Sequence, residues 1–262
     1  MTLLKGQVAI VTGGGRGLGR AVAEALAALG ASVVVASRNA PELDEVVKSI
    51  RRTKGHALAQ TADVSDDRQV QELVLATERW VGPATILVNN AGVIEPVAPL
   101  ARSDAALWLR NVGVNIGGTY LPTRAIIPGM LERGFGRIVN ISSGAATQPS
   151  HGLTAYAASK AGVVQLTRSL ALELEGTGVT AVSYHPGSMD TEMQGRLRRR
   201  STADFQRADE YRQMETEGKL IDPRRAARVI AYLTLPETRR NGQTLSYEDA
   251  DLTGAVDEAL PA

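Results

Sequence analysis

A glycine-rich turn near the N-terminus constrains the fold of this chain more than any other feature. The turn contains three spaced glycines, Gly13, Gly17 and Gly19. An apolar run at 7–12 precedes it, a helical pattern at 16–29 follows, and a second apolar run occupies 32–37. In this context glycines permit a tight turn and close backbone approach, and the helix N-terminus offers free N–H groups to a pyrophosphate. The segment therefore predicts dinucleotide binding at the start of an α/β fold.

The alternation of strand and helix patterns continues along the chain. Further strands are expected at 56–61, 86–89, 137–141, 179–185 and 241–247. Further helices are expected at 41–54, 66–81, 103–133, 155–175 and 223–235, with a kink at Pro122. Such alternation is typical of a Rossmann-type doubly wound parallel sheet, here of about seven strands, with helices on both faces. Without a linker or repeat, residues 1–262 are expected to form one domain.

Composition excludes several classes of protein. Of 262 residues, 44% are hydrophobic and 22% are charged, which permits a large core. The net charge of +1 gives no field that favours nucleic acid or an anionic membrane. Because cysteine is absent, disulfides and cysteine metal sites are excluded, and no metal site is expected. With no secretory signal and no membrane-spanning run, we expect a cytoplasmic protein without nucleic-acid or membrane partners.

Three residues between 137 and 162 carry a possible proton-transfer chemistry. Ser143 follows an apolar strand, and Tyr156 and Lys160 are four residues apart on the next helix, where they share one face. A cation beside a phenol favours the phenolate and lowers a pKa that is normally about 10. Such a tyrosine can exchange a proton near neutral pH, although the same pair also fits a solvated helix face.

The order of these motifs resembles that of a known family. The turn Thr12-Gly13-x-x-x-Gly17-x-Gly19, the Asn-Asn-Ala-Gly segment at 89–92, the thirteen-residue interval from Ser143 to Tyr156 and a Pro-Gly-x-x-x-Thr segment at 186–191 are similar to the classical short-chain dehydrogenase/reductase family. The resemblance spans about residues 5–247. It implies an oxidoreductase that transfers hydride between a nicotinamide cofactor and a carbonyl compound or its alcohol.

The resemblance also implies a role for four residues. Ser143 and Tyr156 would donate hydrogen bonds to the substrate oxygen, and Tyr156 would supply the proton. Lys160 would hold the ribose and lower the pKa of the phenol. Asn115 would bend its helix and hold a water that completes the proton relay. From the residues alone, Asn115 is equally a satisfied buried amide.

A larger set of residues would contact the cofactor. By the resemblance it comprises Gly13, Arg16, Gly17, Leu18, Gly19, Ser37, Arg38, Asp63, Val64, Asn90, Ala91, Gly92, Tyr156, Lys160, Pro186, Gly187, Met189 and Thr191. The second strand ends without the acidic residue that an NAD site uses for the ribose 2′-hydroxyl. Arg38, Arg16 and Ser37 instead suit a 2′-phosphate, so NADP(H) is preferred over NAD(H).

A substrate lid is expected at about 189–222. Residues 193–218 are read either as a mobile, solvated helix pair or as the family's lid. Their basic cluster at 196–200 favours an acidic or phosphate-bearing substrate, such as an acyl thioester on a carrier protein.

After Leu245 the chain departs from the family pattern and ends in an acidic tail. A homodimer or a homotetramer is therefore expected, with the choice open.

Two other functions fit parts of the sequence. An extended-type nucleotide-sugar epimerase would need a longer chain and different glycine spacing. A non-catalytic NADP-binding sensor would typically lack one of the four catalytic positions, and all four are present here.

Overall fold

A parallel seven-stranded sheet forms the centre of the protein in a computed structural model that describes residues 2–260. The strands are β1 (Val8–Thr12), β2 (Ser32–Ser37), β3 (His56–Thr61), β4 (Ile86–Asn89), β5 (Gly136–Ile141), β6 (Val179–His185) and β7 (Thr244–Ser246). They lie in the order β3-β2-β1-β4-β5-β6-β7 and all neighbours pair in parallel. The strand order reverses between β1 and β4, which confirms the doubly wound Rossmann-type sheet.

Helices cover both faces of the sheet. They are α1 (Gly17–Ala28), α2 (Ala40–Arg52), α3 (Asp67–Trp80), α4 (Ala105–Val112), α5 (Gly118–Arg133), α6 (Thr154–Glu173), α7 (Glu192–Arg198), α8 (Ala208–Thr216), α9 (Pro223–Leu233) and α10 (Ala250–Ala259). Alternate residues of a strand point to opposite faces. Thus Val33 and Val35 of β2 pack with α1, α2, α9 and α10, whereas Val34 packs with α3, α5 and α6. Coverage on both faces explains why the central strands are apolar throughout.

The irregular turn in the long helical region lies before Pro122. Residues Gly113–Gly117 form a π-helical turn between α4 and α5, and α5 then continues through both of its prolines. The Asn115 side chain, inside that turn, is hydrogen-bonded to the loop after β4. The departure from α geometry therefore lies around Asn115, where the resemblance implied a bend, and α5 is continuous through Pro122.

The C-terminal segment is helical and packed, although the sequence suggested only an acidic tail. Leu252, Val256 and Leu260 are each at most 5% exposed and join the core on the α9 side of the sheet. Asp251 and Asp257 lie on the outer part of the same segment, where Arg228 of α9 contacts Asp257 at 3.6 Å. The acidic composition was thus one face of an amphipathic helix.

The segment at 193–218 is packed and is not a solvated helix pair. Phe205 is 1% exposed, and with Leu197 of α7 and Ala208 of α8 it forms a small core. Ile94 and Leu153, from two other loops, belong to the same core. This segment therefore rests on the body of the protein through apolar contacts that sequence composition did not reveal.

Candidate active site

The glycine turn packs closely against the loop after β4, which fixes its backbone conformation. Gly13 and Gly17 have φ values of 63° and 52°, which only glycine adopts readily. A Cβ at Gly19 would lie 2.2 Å from the Gly13 carbonyl oxygen. The Asn90 side chain donates to the carbonyls of Thr12 and Gly13 at 2.9 and 3.1 Å. No side chain caps the N-terminus of α1, which fits the pyrophosphate of a dinucleotide.

Residues from β5 and α6 form the catalytic candidate group. Ser143 follows β5. Neighbouring groups partly enclose Tyr156, and its hydroxyl interacts with the Ser143 side chain. Lys160 is 4% exposed, lies 5.7 Å from the centre of the Tyr156 ring and donates to the Ile141 carbonyl at 2.7 Å. The helical spacing of Tyr156 and Lys160 thus places phenol and ammonium together at the carboxyl end of β5.

The pKa of Tyr156 is raised, whereas the sequence argument expected it to be lowered. Burial raises this pKa to about 12, and the hydrogen bond with Ser143 only partly opposes that effect. Burial also lowers the pKa of Lys160 to about 8. Loss of solvent outweighs the attraction between ammonium and phenolate here. The phenol is therefore held in its protonated form at neutral pH, ready to act as a proton donor.

Asn115 is a fully used buried amide. Its side-chain oxygen accepts from the Val93 N–H at 2.8 Å, and its nitrogen donates to the Val93 carbonyl at 3.0 Å and to the Ser159 hydroxyl at 2.8 Å. Gly92 separates it from Lys160, since a Cβ at Gly92 would lie 3.1 Å from the Asn115 oxygen and 3.7 Å from the Lys160 nitrogen. Asn115 therefore positions the loop beside the ammonium group.

The Glu42 side chain of α2 lies close to the end of β2, a position that the sequence analysis did not give it. A Cβ at Gly15 would lie 3.1 Å from a carboxylate oxygen of Glu42 and 3.4 Å from the Ser37 hydroxyl. Glu42 is in the first turn of α2, where its sequence position indicated only a favourable helix start. The end of β2 itself carries no acid, as expected, but α2 brings the Glu42 carboxylate close to the Ser37 hydroxyl and the glycine turn.

Both arginines expected to bind the 2′-phosphate pair with carboxylates. Arg16 contacts Glu192 of α7 and lies 3.7 Å from Glu42. Arg38 lies 3.6 Å from Asp63. Burial by itself raises the pKa of Asp63. Hydrogen bonds from Ser65 and the charge of Arg38 together lower this pKa by more, so the net shift is downward. The two arginine side chains are 57% exposed and remain accessible to an added anion.

The remaining cofactor candidates lie around the same edge of the sheet. Val64 packs against Gly118, where a Cβ would lie 2.5 Å from a Val64 methyl carbon. Leu18 is 5% exposed and its side chain belongs to the core, which leaves its backbone N–H for a ligand. Asn90, Ala91 and Gly92 line the loop after β4. The N–H groups of Asn90 and Ala91 donate to the Thr12 hydroxyl at 3.1 Å.

The loop after β6 brings the start of the lid to the glycine turn. After the buried Pro186, Gly187 adopts a φ of 77°, and Met189 pairs with Ile221 in a short parallel bridge. Thr191 caps α7 and lies against Gly17, whose added Cβ would be 3.5 Å from the Thr191 methyl. The structure thus brings the 186–191 segment beside the expected pyrophosphate position.

The basic cluster at 196–200 is partly paired within the protein. Arg196 binds Glu192 and Glu95 at 2.9 and 3.2 Å. Arg198 is only 14% exposed and contacts Asp190 and Glu215. Two of the four arginines in the cluster, Arg196 and Arg198, are therefore balanced by nearby carboxylates.

A tyrosine of the lid also lies near the catalytic candidates, and sequence reasoning missed it. Tyr211 of α8 packs edge to face on Phe205, with ring centres 5.4 Å apart, and its charge contributes to the raised pKa of Tyr156. Tyr156 itself packs against the core that Phe205 centres. Tyr211 lies in a charged segment and belongs to no recognisable motif, so the sequence gave no pattern that could have identified it.

Two further properties follow from the described residues. Between residues 2 and 260 no group of three or more His, Cys, Asp or Glu side chains is arranged to hold a metal ion. None of the helices over the same range is long and apolar enough to cross a bilayer.

Comparisons with known proteins agree with this architecture. The sequence model of the short chain dehydrogenase family matches residues 7–202. A short chain dehydrogenase of Pseudocercospora fijiensis is 42% identical over 192 residues, and the match covers 72% of this chain and 62% of the fungal protein. A 3-oxoacyl-acyl-carrier-protein reductase of Synechocystis is 36% identical over 249 residues, covering 95% of this chain and 98% of that protein.

A solved structure supports the same assignment. A variant of actinorhodin polyketide ketoreductase, determined with NADPH, gives a TM-score of 0.83 at 33% identity and covers 92% of this chain and 95% of its own. The chain belongs to the short-chain dehydrogenase/reductase family. Members of this family are oxidoreductases that bind a nicotinamide cofactor, act on CH–OH and C=O groups of small molecules, and usually form oligomers.

Proposed function

We propose that this protein is an NADP(H)-dependent reductase of small carbonyl compounds, with Ser143, Tyr156 and Lys160 as its catalytic residues. The observation that carries the proposal is the partly buried phenol of Tyr156, which interacts with the Ser143 hydroxyl beside the buried Lys160 ammonium. All three lie at the carboxyl end of β5, next to the strand-order reversal where ligands bind in open parallel sheets.

The chemistry divides between the cofactor and the chain. When bound, the nicotinamide supplies the hydride that reduces the carbonyl carbon. As negative charge grows on the carbonyl oxygen, the hydroxyls of Ser143 and Tyr156 donate hydrogen bonds to it, and Tyr156 transfers its proton. Lys160 stabilises the phenolate that remains. Asn115 keeps the loop after β4 against Lys160, which fixes the position of the ammonium group.

An extended acyl thioester is the proposed class of substrate. The support is the match to a 3-oxoacyl-acyl-carrier-protein reductase over nearly the full length of both proteins. The partly buried aromatic side chain of Tyr211, which packs against the same small core as Tyr156, suits an apolar chain next to the reacting carbonyl. A panel of 3-oxoacyl thioesters and simple ketones, with NADPH oxidation followed by absorbance, tests this class.

Replacing Tyr156 by phenylalanine tests the catalytic assignment. The Tyr156→Phe variant keeps the ring and loses the hydroxyl, so turnover should fall by about 10²–10⁴ while NADPH binding survives. Lys160→Ala should weaken both turnover and cofactor binding. Steady-state kinetics and fluorescence titration with NADPH measure the two effects.

Tyr120→Phe is the matched control for this experiment. Tyr120 lies on α5 and is 48% exposed, so its variant should keep the wild-type rate. Near-normal turnover in Tyr156→Phe would disprove the mechanism. NADPH binding without turnover on any carbonyl compound in the wild type would instead favour a cofactor sensor.

The cofactor preference has its own test. Arg16, Arg38 and Ser37 support NADPH, although Glu42 and Asp63 reduce the net positive charge at that place. Arg38→Asp should lower the ratio of kcat/KM for NADPH over NADH by about ten- to a hundredfold, since it removes a charge-assisted contact. Arg68→Asp, at an exposed arginine of α3, should leave the ratio unchanged. A wild type that uses NADH as well as NADPH would refute the preference.

A further inference from the structure

Five charged side chains form a continuous series of ion pairs over the cleft between the glycine turn and the lid. We call this series the ion-pair chain, and its members in order are Glu42, Arg16, Glu192, Arg196 and Glu95. Arg16 lies 3.7 Å from Glu42 and contacts Glu192. Arg196 then binds Glu192 at 2.9 Å and Glu95 at 3.2 Å. The chain thereby connects α2, the glycine turn, α7 and the loop after β4.

Glu192 is the central member of this chain. One of its carboxylate oxygens contacts Arg16 and the other contacts Arg196. Arg16 belongs to the proposed 2′-phosphate site, whereas Arg196 joins α7 to the loop that carries Glu95. A single carboxylate therefore contacts both the cofactor side and the substrate side of the cleft.

The charges predict opposite effects on the two sides. A 2′-phosphate is a dianion or nearly so, and the carboxylates of Glu42 and Glu192 both oppose its approach to Arg16. Neutralising either acid should strengthen phosphate binding. Of these two acids only Glu192 belongs to α7, so only its neutralisation should also loosen the contact of α7 with the glycine turn, while the Arg196–Glu95 contact remains.

We propose that Glu192 is a positioning residue that holds α7 against the glycine turn through Arg16 and, by its charge, limits the affinity of Arg16 for the 2′-phosphate. The inference rests on the proposed NADP(H) function. Under this proposal, the charge on Glu192 favours binding of the substrate and disfavours binding of the 2′-phosphate of the cofactor. Because the five side chains are partly exposed, each effect should be small, about two- to fivefold.

The Glu192→Gln variant provides the first test. Its Kd for NADPH should fall by about two- to fivefold, and its Kd for NADH, which has no 2′-phosphate, should stay constant. Its KM for the carbonyl substrate should rise by a similar factor with little change in kcat. Hydrogen exchange at 192–216 should become faster. Fluorescence titration, steady-state kinetics and exchange mass spectrometry measure these quantities.

Two matched variants separate the two halves of the proposal. Glu42→Gln removes an acid beside Arg16 that has no contact with α7, so it should tighten NADPH binding and leave substrate KM and lid exchange unchanged. Arg196→Gln removes only the lid contacts, so it should raise substrate KM and speed lid exchange without changing the NADPH Kd.

The outcomes decide the proposal directly. A Glu192→Gln variant that changes only cofactor affinity, or only lid exchange and KM, would overturn it. Titration and hydrogen exchange require no turnover, so an absence of carbonyl reduction would count against the proposed function and leave this test intact. A combined change in both readouts, with each control variant changing one, is the result that supports it.

Discussion

Tyr156 shows how burial, more than sequence spacing, sets the chemistry of a side chain. A pKa of about 12 keeps the phenol protonated, and a pKa of about 8 places the ionisation of Lys160 within the range of ordinary assays. Both shifts have the same cause, which is the loss of solvent around a charge. For a reductase this is a suitable arrangement, because the proton donor must carry its proton before the reaction begins.

The pH dependence of carbonyl reduction follows from these two values. Lys160 is charged below its pKa of about 8 and neutral above it, so kcat should be constant at lower pH and fall as pH rises through about 8. The phenol, with a pKa of about 12, should add no further loss below that region. A profile of kcat over roughly pH 6 to 10 measures this limb.

A conservative variant is the control for the pH profile. Lys160→Arg keeps a cation that stays protonated over the whole assay range, so any activity it retains should lack the decline near pH 8. A wild-type kcat that is constant across the whole range would show that the charge on Lys160 does not matter for the reaction.

Among the secondary-structure elements, the lid and the C-terminal helix differed most from expectation. Both segments are rich in charge, and charge alone suggested solvated or tail-like structure. In each, a few apolar residues on short helices, such as Leu197 and Leu252, provide the buried contact. Short amphipathic helices with a narrow apolar face produce a weak periodic signal, which explains the error.

The π-helical turn at Gly113–Gly117 is another feature that local sequence did not define. Proline is a strong local signal for a bend, which is why a kink was expected at Pro122. The turn instead lies where Asn115 bonds to Val93 and where Gly162 of α6 allows Ile116 to approach, since a Cβ there would lie 2.6 Å from an Ile116 carbon. Contacts between elements thus decide where this helix departs from α geometry.

The described residues include eight large, exposed apolar side chains, and five of them lie on α4, α5 and α6. They are Leu107 and Leu109 of α4, Tyr120 and Leu131 of α5, and Leu172 of α6, each at least 40% exposed. Large apolar side chains grouped on an exposed surface often mark a contact between subunits. We therefore expect a homodimer or a homotetramer in solution, built through α5 and α6.

Light scattering of paired variants tests this assembly. Leu172→Arg places a charge on the 69% exposed leucine of α6 and should shift the protein toward the monomer. Leu75→Arg, at a 63% exposed leucine of α3, should leave the mass unchanged. A wild-type monomer at working concentration would refute the expected assembly.

The fold and the main candidate site were predictable because their signals are local. Apolar runs of strand length, a glycine turn between strand and helix, and a four-residue interval between Tyr156 and Lys160 each depend on neighbouring residues, and the regular geometry of strands and helices converts them into positions. Gly19, for example, must be glycine because its Cβ would meet the turn directly before it.

The electrostatics of the site depended on residues that are distant in sequence. Glu42 and Glu192 reach Arg16 from α2 and α7, and Tyr211 reaches the surroundings of Tyr156 from α8. No spacing rule connects these positions, since packing of the helices against the sheet brings them together. The pKa values of Tyr156 and Lys160 and the charge around Arg16 follow from that packing, because solvent exclusion and the distance between charges exist only once the chain is folded.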